Sequence, residues 1–127
     1  MTKDEINKLS EKIIGCCIEV HKRLGPGLLE SIYEKALCIE LAYHNILFEN
    51  QKILSVKYRN KPVGEFRIDI LVENTIVLEL KSVERHDPVF EAQILSYMKL
   101  GEFPLGLLIN FNSKLLKNGI KRFINNY

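Results

Sequence analysis

Apolar residues near the start of the chain recur at three- and four-residue steps: Ile6, Leu9, Ile13, Cys17, Val20 and Leu24. That period predicts an amphipathic helix over residues 4 to 23. Gly25, Pro26 and Gly27 end it in a tight loop. A second helix follows from about Leu28 to Tyr43, with Leu29, Ile32, Tyr33, Ala36, Leu37 and Leu41 as its apolar face. The period then drops to two. Residues 46 to 58 lean towards strand, most clearly where Leu54, Val56 and Tyr58 alternate with Ser55 and Lys57. "RNKP" reads as a turn, "VGEFRIDILV" as a second strand, and "TIVLELKSV" as a third after a reversal at "EN". Asp87 followed by Pro88 supplies an N-cap and a first helical position for a helix ending near Leu100. "PLGLLINF" is nearly continuous in apolar residues, the pattern of a strand buried on both faces. The tail leans towards a short strand over residues 120 to 125.

The order α-α-β-β-β-α-β, with a last short strand, contains a meander and then a helical crossover. It predicts an α/β fold with a mixed sheet flanked by helices. At 127 residues, without repeats or linkers, the chain reads as one domain over residues 1–127.

Three charged residues interrupt the strands of "RIDILVENTIVLELK": Asp69, Glu79 and Lys81. Alternation puts Phe66, Ile68, Ile70 and Val72 on one face and Arg67, Asp69 and Leu71 on the other. In the next strand it sets Ile76, Leu78 and Leu80 against Val77, Glu79 and Lys81. A three-residue connection, Glu73-Asn74-Thr75, pairs Val72 with Ile76, and so places Asp69 opposite Glu79 and Arg67 opposite Lys81. A two-residue turn would set carboxylates against aliphatics, so the apolar pattern selects the first register. Opposed residues lie about 5 Å apart at Cβ, within reach of one ion. Carboxylate oxygens are what a hard cation such as Mg²⁺ prefers, and Lys81 would stabilise charge on a phosphate. The plainer reading is a solvated face with cross-strand ion pairs to Arg67 and Lys81.

Composition changes this picture little. Apolar residues make up 46% and charged residues 27%, and the net charge of +2 neither demands nor excludes a nucleic-acid partner. The N-terminus is charged and has no signal-peptide core, and no apolar run is long enough to span a membrane. Cys16, Cys17 and Cys38 are odd in number and lack a C-x-x-C pair, so they read as reduced core thiols of a cytoplasmic protein. His21, His44 and His86 lack metal-ligand spacing and read as surface or capping residues, with His86 the nearest to Lys81.

Asp69 followed by Glu79-Leu80-Lys81 resembles the D…(D/E)xK signature of the PD-(D/E)xK nuclease superfamily. "GLLESIY" (Gly27, Glu30, Tyr33) matches the motif of the GxxExxY proteins, and "QILSY" (Gln93, Tyr97) is similar to the QxxxY element of the RecB-like branch. Ile68 stands where the superfamily's name has Pro. The resemblance spans about Ile6 to Phe123 and implies a restriction-endonuclease-like core. It implies Asp69, Glu79 and the Leu80 carbonyl as ligands of Mg²⁺ or Mn²⁺, and Lys81 as the catalytic lysine. Glu30 and Gln93 would support the site, and Tyr97 and Tyr33 would face the substrate. Apart from the resemblance, Arg67 belongs to a loose cluster of basic strand residues that would engage phosphates if they border the cleft.

The expected function is therefore a metal-dependent nuclease acting on nucleic acid, DNA ahead of RNA, with a second copy of the chain as a candidate partner. The rival is a non-catalytic nuclease-like module that binds nucleic acid or protein.

Overall fold

The computed structural model describes residues 1–126. Its elements run α1 (Lys3–Leu24), α2 (Glu30–Tyr43), β1 (Phe48–Tyr58), β2 (Lys61–Val72), β3 (Ile76–Lys81), α3 (Pro88–Gly101), β4 (Leu105–Asn110) and β5 (Ile120–Ile124). A 3₁₀ turn at Leu116–Gly119, absent from the sequence reading, precedes β5.

Helix α1 begins in a capping box, in which the Thr2 hydroxyl accepts from the Glu5 N–H and the Glu5 carboxylate accepts from the Thr2 N–H. Asp87 caps α3 by accepting from the Val89 N–H, with Pro88 at the first helical position as its sequence predicts. Helix α2 starts two residues later than expected. Gly25 and Gly27 take positive φ (73° and 94°), and the Leu28 N–H donates to the Tyr33 hydroxyl instead of entering the helix. Leu29 and Ile32, expected to be buried, are 70% and 41% exposed; Tyr33, Leu37 and Leu41 carry the inward face.

The sheet is mixed, in the order β1-β2-β3-β4-β5. Only β3 and β4 are parallel, joined through α3; the other pairs are antiparallel. β3 and β4 are buried nearly end to end, because helices cover both faces. One apolar cluster joins Ile13, Cys17, Tyr33, Leu37 and Leu41 of α1 and α2 to Ile70, Val72, Leu78, Leu80 and Ile109. The other joins Ile94 and Met98 of α3 to Ile68, Leu71, Val77, Leu108 and Phe103. Each fully buried aliphatic side chain contributes about 1.5–3 kcal/mol, so these clusters dominate stability.

The clusters correct one expectation. Phe66 and Ile68 pack on the α3 side, whereas Ile70 and Val72 pack on the α1–α2 side. The change of side falls at Asp69. Across β1 the facing position is Gln51, which lies between the pairs Asn50↔Ile70 and Lys52↔Ile68 and has φ 53°. A left-handed residue cannot continue a regular pleat, so the inner and outer halves of the β1–β2 hairpin present different faces to the two layers.

Candidate functional site

The β2–β3 hairpin closes through the three-residue connection at 73–75, with pairs Val72↔Ile76, Leu71↔Val77 and Ile70↔Leu78. The next rung would join Asp69 and Glu79, and there side chains take over from the ladder. The Asp69 N–H donates to Glu79 Oε2 at 2.8 Å, and the Leu80 N–H donates to Asp69 Oδ2 at 2.8 Å. Each acid is thus clasped by the backbone of the other strand. Arg67 does not come opposite Lys81. The β2–β3 ladder ends at Ile70↔Leu78, and Arg67 lies exposed against Ile53 of β1.

Glu79 is 6% exposed. Burial, reinforced by the Asp69 charge, pushes its carboxyl up from 4.5 to about 8, against the pull of the Asp69 N–H and Lys81. Burial raises Asp69 as well, opposed by the Leu80 N–H, the Lys81 charge and the Gln51 amide. Among the described residues neither acid has an ion-pair partner within salt-bridge distance. The reading as a solvated, salt-bridged face is therefore overturned. Lys81 is half-buried beside them, its Nζ 4.4 Å from the Phe90 ring centroid.

Two residues that sequence reasoning missed complete the cluster. The Gln51 amide donates to Glu34 Oε1 at 2.7 Å. Burial and the Asp69 charge raise the Glu34 carboxyl, and Glu34 in turn adds to the rise at Glu79. The available signal was the spacing Glu30–Glu34, one helical turn on a single stripe. Glu30, the helix acid singled out from sequence, is exposed in the first turn of α2.

The remaining expected residues fall in different places. Tyr97 stacks on Phe66 (4.7 Å between centroids), and its hydroxyl is raised by burial and by the Glu79 and Asp69 charges. Gln93 is exposed on α3 and makes no side-chain hydrogen bond among the described residues. Tyr33 is fully buried and stacks on Phe111; its hydroxyl donates to the Gly25 carbonyl at 2.5 Å. It braces the loop before α2, and Ser82, next to Lys81, donates to the Leu28 carbonyl of that loop. Leu80 is buried in β3 and supplies the N–H that holds Asp69. Beyond Lys81 opens a cleft of about 90 Å³, lined in part by His86, Phe90, Asn110 and Lys121. There Glu91 accepts from Lys121 and pairs with His86.

The site fits a hard divalent cation. Each carboxylate gives one oxygen to the opposite backbone, and Glu79 Oε1 has no hydrogen-bond donor among the described residues. The described residues hold no ready-made group of three His, Cys, Asp or Glu ligands. Mg²⁺ is often held by one or two carboxylates, with waters and substrate phosphate as its other ligands.

A mixed sheet between helices, with two acids and a lysine where a central hairpin parts, is the layout of a restriction-endonuclease-like core. The model of the PD-(D/E)XK nuclease superfamily matches residues 7–123, and the chain belongs to that superfamily. Membership points to nuclease activity and a nucleic-acid substrate. No curated protein and no solved structure matches the chain. Among the described residues no helix is long and apolar enough to cross a membrane.

Proposed function

We propose that the chain is a Mg²⁺- or Mn²⁺-dependent nuclease that cleaves DNA, and that its Gly27-Glu30-Tyr33 motif places it in the GxxExxY group. The observation that carries this is the clasped pair of half-buried Asp69 and buried Glu79, mutually repelling, with Lys81 alongside. Asp69 and Glu79 would hold the cation, with Glu34 and Gln51 behind them and the Leu80 carbonyl a candidate further ligand. When bound, the cation supplies Lewis acidity at the scissile phosphate. The chain's own groups do the rest. The Lys81 ammonium stabilises charge as water attacks phosphorus and the bond to the leaving oxygen breaks. Gln51 fixes Glu34 and lies against Asp69, which limits the orientations open to that carboxylate. Tyr97, stacked on Phe66 near the acids, faces the incoming strand, and Glu30 and Gln93 lie further out.

The test is incubation with labelled single- and double-stranded DNA and RNA, with and without Mn²⁺. Wild type should cut DNA only with the metal, and Lys81→Ala should lose cutting while melting as wild type does. Wild-type cutting by Lys81→Ala would remove the assignment. Calorimetry without Mn²⁺ binding in either wild type or Asp69→Asn would favour the non-catalytic module.

A further inference from the structure

The basic residues of the chain are unevenly placed. Residues 52–67, the outer half of the β1–β2 hairpin, carry Lys52, Lys57, Arg59, Lys61 and Arg67 against a single acid, Glu65. The net charge of the whole chain is only +2, so the remainder has a slight acidic excess. Lys52 pairs with Glu49, but Lys57, Arg59, Lys61 and Arg67 have no ion pair among the described residues, and all four are exposed. Unneutralised charge gathered on one element favours a polyanionic partner.

The hairpin also has the shape of an arm. β2 leaves β3 at Ile70↔Leu78, and from there outwards it pairs with β1 alone, as far as Tyr58↔Lys61. Its base is braced by the Phe66–Tyr97 stack, and beyond Phe66 only Val56 remains half-buried. The tip is a two-residue turn, Arg59-Asn60, with φ 48° and 65°, the left-handed pair typical of a tight hairpin. Arg59 lies over the Tyr58 ring, and the register shift at Val56/Lys57 adds twist. Seven residues of β1 against eight of β2, at about 3.3 Å each, carry the tip roughly 23 Å or more from the acids. That is about seven base pairs of B-form duplex at 3.4 Å per step.

We propose that this hairpin is a DNA-gripping arm that lies in the major groove of a duplex and sets the register of the strand at Asp69 and Glu79. The inference rests on the nuclease reading and adds its substrate form, double-stranded DNA. The major groove of B-DNA admits a two-stranded β-ribbon, whereas that of an RNA duplex is too deep and narrow for side chains to read. The arm's cations contact phosphates, so the grip is salt-dependent and independent of sequence.

The experiment compares wild type with the triple variant Lys57→Ser/Arg59→Ser/Lys61→Ser, all exposed positions, by fluorescence anisotropy on labelled 30-base-pair duplexes across a salt series. Thermal melts confirm that both are folded. Each lost phosphate contact lowers the slope of log Kd against log salt by about 0.9, so the triple variant should lose roughly two to three and bind at least tenfold more weakly at 0.1 M salt. Unchanged affinity and slope would overturn the arm and leave its charges as protection of an exposed edge strand. Equal wild-type affinity for duplex RNA would overturn the groove assignment, as would failure to bind duplex DNA. Cleavage is scored separately. An arm-dependent grip without Mn²⁺-dependent cutting overturns the catalytic reading alone.

Discussion

Replacing Glu79 by Gln removes a charge that its surroundings oppose and retains an oxygen to accept the Asp69 N–H. In the metal-free protein the Glu79 carboxyl titrates near 8 instead of 4.5. Between those values the folded state holds a proton that the unfolded chain has released, so wild-type stability should fall as pH rises through this window. At about 1.36 kcal/mol per pH unit, the penalty has a ceiling of roughly 5 kcal/mol. Relaxation of the site and entry of water reduce it to about 2–4 kcal/mol, or some 10 °C in Tm for a chain of this size. Thermal melts in chelator from pH 5 to 9 measure it. Wild type should lose about 10 °C between pH 5 and 8.5, while Glu79→Gln loses most of that slope and becomes the more stable protein at pH 8.5. Mn²⁺ should restore wild type at high pH, because a cation rewards the charged pair, and should do little for Glu79→Gln. Parallel pH profiles for the two proteins, or an equal Mn²⁺ response, would refute the electrostatic account.

Further outcomes follow from particular contacts. Tyr33→Phe strips the Leu28 N–H of its acceptor and the Gly25 carbonyl of its donor, and should cost about 1–3 kcal/mol in a urea melt. Ser10 Oγ is buried without a hydrogen-bond partner among the described residues, so Ser10→Ala should raise stability by about 1 kcal/mol, seen as a higher urea midpoint at constant m. Burial raises the Cys17 thiol, and Cys38 is pushed up to about 11, so the native protein should react slowly with a disulfide reagent at pH 8 and quickly in urea.

The central hairpin was legible because two independent signals agree there: strict alternation on both strands, and a three-residue connection that leaves one register for the aliphatic residues. Asp87-Pro88 was legible because a cap followed by an imino acid has few other uses. Two things were hidden. Gln51 takes a positive φ that nothing about glutamine advertises, and the change of face between Ile68 and Ile70 follows from it. The phase of α2 was misjudged because Leu29 and Ile32 look like core. With both exposed, the inward stripe runs through Tyr33, Leu37 and Leu41, and Glu34 rather than Glu30 is the acid felt at the carboxylate pair. The surface reading of the histidines held only in part, since His21 is half-buried against the Ser113 carbonyl.

The sheet order β1-β2-β3-β4-β5 repeats the order of the chain. Every strand therefore pairs with its sequence neighbour, and only the parallel β3–β4 pair must close a long loop across α3. Loop closure is what slows folding, so the β1–β2–β3 meander has the smallest entropy barrier to formation. Asp69 and Glu79 stand ten residues apart within that meander, so their meeting closes only a short loop. Glu34 reaches them only when α2 docks. A meander that closes first brings the two acids together while the hairpin is still solvated, and docking of α2 then encloses them.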